Sequence, residues 1–181
     1  NQGNIMSALI LLIGVCLTYV CMLQYTGFIY NFIDINEINI YMEITSILLP
    51  VLLWCIANWA LTTFTEGKGN LKEIFVSTCF ALTPFIIINL PLTVISNFIT
   101  LQEGSFYYFI LYFSIIWLTI LLFFSSMITN DYDLGTNIFA SIFTIIGMGI
   151  VLFIVLLFLN IFGQMYDFIV GIYEEIMFRK V

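Results

Sequence analysis

The sequence predicts an all-α, polytopic membrane protein: a five-helix transmembrane bundle with an amphipathic helical extension at its carboxyl end. Two observations carry the class. Of 181 residues, 62% are hydrophobic and only 8% charged, whereas soluble domains run at roughly 45–50% apolar and about 25% charged. The few charges also punctuate the chain, leaving 1–33, 44–65, 74–102, 104–130 and 134–166 without any.

A helix crossing a hydrocarbon core of about 30 Å needs roughly 20 apolar residues. The five gaps therefore predict spans at about 5–23, 44–64, 74–98, 105–129 and 136–162. Unbroken apolarity of this length excludes the strands of an outer-membrane barrel, which alternate over about ten residues. The mean hydropathy of +1.14 agrees.

The connections set an orientation. Residues 24–43 carry Asp34, Glu37 and Glu43 with no base, and residues 65–73 (TEGKGNLKE) hold Lys68 and Lys72, half of the four basic residues. The positive-inside rule puts the lysine-bearing loop and the amino end in the cytoplasm. The carboxyl end is then extracytoplasmic, although Arg179 and Lys180 pull the other way. Thirty-two isoleucines against five alanines is the usage of an AT-rich genome and points to a bacterial cell membrane.

Beyond the fifth span, 163–178 reads as amphipathic. Met165, Phe168, Ile169, Ile172 and Ile176 fall at helical spacing, with Gln164, Asp167, Gly171, Glu174 and Glu175 opposite. The expectation is an interfacial extension of span five or a docking helix for a partner, with Ile172 and Ile176 as its contacts. Gly147, Gly149 and Ala140 on span five permit close helix approach.

Chemistry is excluded more than suggested. The net charge of −7 lacks the clustered Lys and Arg of a nucleic-acid interface. Histidine is absent, and with it the commonest general base and metal ligand. Glu174, Glu175 and Arg179 spell the E-E-x-x-x-R of membrane CAAX-type proteases, but that chemistry needs histidines. Tyr132-Asp133 and Tyr166-Asp167 lack the G-x-G-D partner of intramembrane aspartyl proteases. Cys16, Cys21, Cys55 and Cys79 form no C-x-x-C and read as small apolar residues. Neither catalytic residue, cofactor nor metal is expected.

The predicted spans hold no formal charge, which disfavours a proton-driven pump. Their neutral polar residues, among them Asn58, Thr62, Asn89, Thr93, Ser114, Ser125, Ser126 and Thr144, are expected to bond helix to helix. Pro84 and Pro91 lie seven apart on span three and are expected to kink it. Pro84 frees the Phe80 carbonyl. Because Asn58 and Phe80 stand at one depth in antiparallel neighbours, the Asn58 amide is expected to bond that carbonyl. In the polar loop, Glu66, Gly67, Lys68, Gly69 and Lys72 are the expected contacts for partners or anionic lipid.

The stretch Trp54–Tyr108 carries a resemblance. N-W-x-L-T-T (Asn58 to Thr63), the E-G-K-G turn, F-x-x-T-x-x-A-L-x-P (Phe75 to Pro84), I-N-L-P-L-T (Ile88 to Thr93) and L-x-E-G-x-F-Y (Leu101 to Tyr107) resemble the bacterial branch of the YIP family of Ypt/Rab-interacting proteins. The resemblance implies five spans, a cytoplasmic amino end and no catalytic residues. Bacterial members look like companions of transport systems, including sugar importers. The absence of charge in every predicted span and the interfacial terminal helix point to a non-enzymatic scaffold or accessory subunit. The partners expected are membrane lipids, other integral membrane proteins such as ABC-type transporter subunits, and further copies of the chain. A pore or carrier for a small neutral solute, or a lipid-handling protein, is the alternative.

Overall fold

The computed structural model describes residues 4–31 and 39–178, with side chains described through Tyr173. Asp34, Glu37, Arg179 and Lys180, and the side chains of Glu174, Glu175 and Ile176, lie outside the described residues. All regular structure among the described residues is helical: α1 (Ile5–Tyr25), α2 (Ile40–Thr65), α3 (Leu71–Ala81), α4 (Thr83–Ile95), α5 (Gly104–Asn130) and α6 (Leu134–Phe178), with one 3-10 turn at Leu101–Glu103. Together they make five helical stretches long and apolar enough to cross a membrane, α3 and α4 forming the third. The predicted count holds, and the chain is a multi-pass membrane protein.

Local chemistry explains where the helices start and stop. The Asn4 and Asn39 side-chain oxygens accept from the Met6 and Tyr41 N–H groups and cap α1 and α2. Helices α2 and α5 end alike. Glu66 (φ 54°) and Asp131 (φ 58°) take the left-handed conformation, and the following Gly67 and Tyr132 N–H groups turn back to the Thr62 and Met127 carbonyls, each at 3.0 Å. This closes the orphaned carbonyls of the last turn.

The third stretch is more than kinked: the helix stops at Ala81 and restarts at Thr83. Pro84 then falls in the first turn of α4, where a missing N–H costs little. The Phe80 carbonyl that it deprives accepts instead from the Thr83 hydroxyl at 2.7 Å. Pro50 and Pro91 sit inside α2 and α4 without ending them.

The broken stretch is the most buried of the five and α6 the least. Ala8, Leu12 and Val15 of α1 pack on Val76, Cys79 and Leu82, flanked by Ile47 and Leu48 of α2 and Leu118 of α5. Beside other buried apolar residues such as Ile74 and Leu92, much of the remaining interior is polar. Asn89, Asn130, Asn137, Thr18, Thr144, Ser96 and Ser114 are fully buried, whereas the exposed surface is dense with Ile, Leu and Phe. That inversion suits a lipid solvent, where polar side chains are satisfied between helices.

The carboxyl extension departs from expectation. No break separates it: α6 is one helix of 45 residues, roughly 67 Å long at about 1.5 Å per residue. Met165, Phe168, Ile169 and Ile172 are all exposed, as are Gln164 and Asp167 of the other face, so the segment does not fold back onto its neighbours. An amphipathic pattern orients a helix only when a surface faces its apolar side, and no described element of the bundle does so here.

Candidate functional site

Polar side chains gather at both ends of the bundle and between them. At the end bearing the lysine loop, the Asn58 amide donates to Ser126 Oγ at 3.0 Å. The Asn130 amide donates to Asn58 Oδ1 at 3.0 Å and to Ser126 Oγ at 3.3 Å. A buried triangle thus ties α2 to α5. The expected Asn58–Phe80 bond is not made. Equal depth was insufficient, because Asn58 faces α5 while Phe80 turns outward, 46% exposed.

The glycine-lysine loop is locked onto the next turn. Lys68 N–H donates to the Asn130 carbonyl at 3.2 Å, and the Thr65 and Tyr132 hydroxyls hydrogen-bond. Lys68 Nζ pairs with Asp131 Oδ2 at 2.6 Å, both side chains exposed. The Asp131 contact, first as a hydrogen bond and then as a charge, raises the Lys68 ammonium, and Lys68 correspondingly lowers the Asp131 carboxyl. Gly67 lies against the Tyr132 ring and Gly69 against Asn130 Oδ1, in each case too close for a Cβ. Of the loop residues named above, Glu66, Lys68 and Lys72 are exposed.

At mid-depth, the Asn89 amide donates to Ser114 Oγ at 2.8 Å and to the Phe85 carbonyl at 2.9 Å. Pro91 sits two residues on, in the same helix. At the opposite end, Gly27 N–H donates to the buried Ser96 Oγ at 2.9 Å. The Asn97 amide reaches the Tyr25 carbonyl at 2.9 Å. Tyr30 donates to the Thr100 carbonyl at 2.9 Å and stacks on Tyr107 at 4.5 Å between ring centroids.

Helix α6 joins the bundle only by its first four turns. Asn137, Ala140 and Thr144 are buried there, and the Asn137 amide donates to the Phe123 carbonyl at 2.9 Å. Of the small residues noted above, Ala140 is buried and Gly147 approaches Ala57, while Gly149 has open space. From Leu152 to Ile169 every residue is exposed. Ile172 is exposed too.

Of the polar residues expected to bond helix to helix, Asn58, Asn89, Ser114 and Ser126 do so. Thr62, Thr93 and Thr144 instead donate to carbonyls of their own helix, and Ser125 has no such bond among the described residues. Asn130, Asn137, Ser96 and Asp131 were not foreseen. A signal was present. Ser126 and Asn130 are both buried on α5 four residues apart, about one helical turn, so a buried polar Ser126 points to its neighbour Asn130. Asn130 and Asn137 escaped notice because they sit at span ends, where asparagine usually reads as a cap.

Among the described residues no three Cys, Asp or Glu side chains come together. Grooves mark the surface: an apolar one of about 240 Å³ between α1 and α2 around Cys16 and Leu48, one of about 500 Å³ at the end of the bundle beside Tyr25 and Asn97, and one of about 350 Å³ between α3 and α5. Comparison with family models, curated proteins and solved structures finds no match.

Proposed function

We propose that this chain is a non-enzymatic integral-membrane scaffold or accessory subunit that binds another membrane protein along α6. One observation carries the reading: residues 152–169 of α6 are exposed on every side, whereas each other spanning stretch is more deeply packed. A long apolar helix with no intramolecular partner is the surface that a second membrane protein would cover, through close packing rather than a hydrophobic drive. The YIP resemblance suggests a transport system as that partner.

In this reading the amino end and the 65–73 loop face the cytoplasm of a bacterial cell, following the lysines. Affinity purification of the full chain from native membranes in mild detergent tests the function. A co-purifying membrane protein that is lost when Phe153, Leu156 and Phe158 become alanine is expected. Recovery of the chain alone under all mild conditions would refute the proposal. Labelling of single cysteines placed at Lys72 and Thr100 tests the orientation, with Lys72 reachable only from the cytoplasmic side.

A further inference from the structure

The groove between α3 and α5 has a chemistry that the scaffold reading does not use. Its walls are Ser77 and Phe80 on α3 and Phe124, Ser125, Ile128 and Thr129 on α5. It opens sideways from the bundle: Phe124 is 45% and Ile128 76% exposed. Ser77 stands six residues into α3 and Ser125 five before the end of α5, about 8–9 Å inside at the usual helical rise. That is the upper part of the hydrocarbon layer, next to the glycerol esters of one leaflet.

The hydroxyls are the informative part. Thr18, Thr45, Thr65, Thr93, Thr119 and Thr144 each donate to the carbonyl four residues earlier, the usual way to satisfy a threonine in an apolar setting. Ser77 uses the Ile74 carbonyl. Ser125 and Thr129 make no hydrogen bond among the described residues, although both are half-buried in α5. Ser125 lies within the hydrocarbon, where a free hydroxyl is costly because no water is present to accept from it, and Thr129, one residue before the end of α5, stands at the level of the interface.

We infer that the α3–α5 groove is a binding site for a diacyl phospholipid, whose ester carbonyls accept from the Ser125 and Thr129 hydroxyls while an acyl chain lies along Phe80, Phe124 and Ile128. The lining contains acceptors, donors and rings but no charge, so it reads the ester region rather than the headgroup phosphate. The break between α3 and α4 helps to shape it, since Phe80 and Ala81 end their helix at the groove wall.

Native mass spectrometry of the purified full chain, titrated with diacyl or with dialkyl phosphatidylglycerol of matched chain length, tests the inference. The ether-linked lipid has the same headgroup and no ester carbonyl. Wild-type protein is expected to retain the diacyl lipid about thirtyfold more strongly, the order expected from two hydrogen bonds of about 1 kcal/mol each. The Ser125→Ala/Thr129→Val protein should lose that preference, and Thr119→Val, whose hydroxyl is already bonded within its helix, should keep it. Equal retention of the two lipids by wild type overturns the site, and this arm needs no variant to fold. A preference that survives in Ser125→Ala/Thr129→Val overturns it as well.

Discussion

The Asn130 side-chain amide donates to Asn58 Oδ1 at 3.0 Å, joining the end of α5 to α2 about two turns before its own end, across 72 residues of chain. Both also bond Ser126, so the three act as a unit. Asn58→Ala and Asn130→Ala are each expected to lower stability by about 0.6–1.7 kcal/mol, the range found for interhelical bonds in membrane proteins. The double variant should lose less than the sum, since either change already breaks the shared bond. Unfolding in detergent with rising dodecyl sulfate measures this. Strict additivity would mean that the triangle contributes nothing as a unit.

Close approach rather than backbone freedom explains two glycines. A Cβ on Gly69 would overlap Asn130 Oδ1, and one on Gly27 would come within 2.5 Å of the Ser96 carbonyl oxygen. Gly69→Ala and Gly27→Ala should each cost about 1–3 kcal/mol, as overpacked sites do. Gly163→Ala, with nothing within 4 Å, should leave the isolated chain unharmed. The three melting curves in one detergent decide the matter, and a Gly69→Ala protein as stable as wild type would remove the argument for this contact.

The Lys68–Asp131 pair makes loop mobility depend on pH in a stated direction. Lys68, by its hydrogen bond and then its charge, lowers the Asp131 carboxyl from its ordinary 3.8. That contribution is present above 3.8 and fades as pH falls through the lower folded value. Asp131 raises the Lys68 ammonium from 10.5, a contribution held below 10.5 and lost as pH rises through the higher folded value. Both partners are exposed, so the effect is local. Hydrogen exchange at residues 66–70 should be slower in wild type than in Asp131→Asn by a constant factor across neutral pH, and the two should converge in acid. A difference that persists at the lowest pH would show that the charge is not the cause.

How much of this was legible in the sequence follows from what each feature depends on. The five stretches were readable because lipid demands long charge-free runs, and that demand acts on composition alone. Asn58 and Asn89 were readable as buried polar groups for the same reason. Their partners were not. Which face of α2 meets α5 depends on helix rotation, and a depth calculation supplies only position along the axis, so Asn58 was assigned to Phe80 although it faces Ser126. The independence of α6 was hidden for a related reason. Its second half has the composition of any span, and only the positions of the other helices reveal that none of them covers it.

Thr83 and Pro84 together account for the break in the third stretch, and their effects should cancel in a particular way. Proline removes the N–H that would bond the Phe80 carbonyl, and the Thr83 hydroxyl supplies a substitute donor at 2.7 Å. Thr83→Val takes the substitute away and is expected to cost about 0.5–1.5 kcal/mol. Pro84→Ala restores a backbone donor four residues after Phe80, so the carbonyl no longer needs the hydroxyl. Thr83→Val should therefore cost little in a Pro84→Ala background, and the double variant should melt close to Pro84→Ala alone. If Thr83→Val lowers the melting point equally in both backgrounds, the hydroxyl stabilises something other than the orphaned carbonyl. Cancellation would identify the Phe80 carbonyl as the group that the hydroxyl serves.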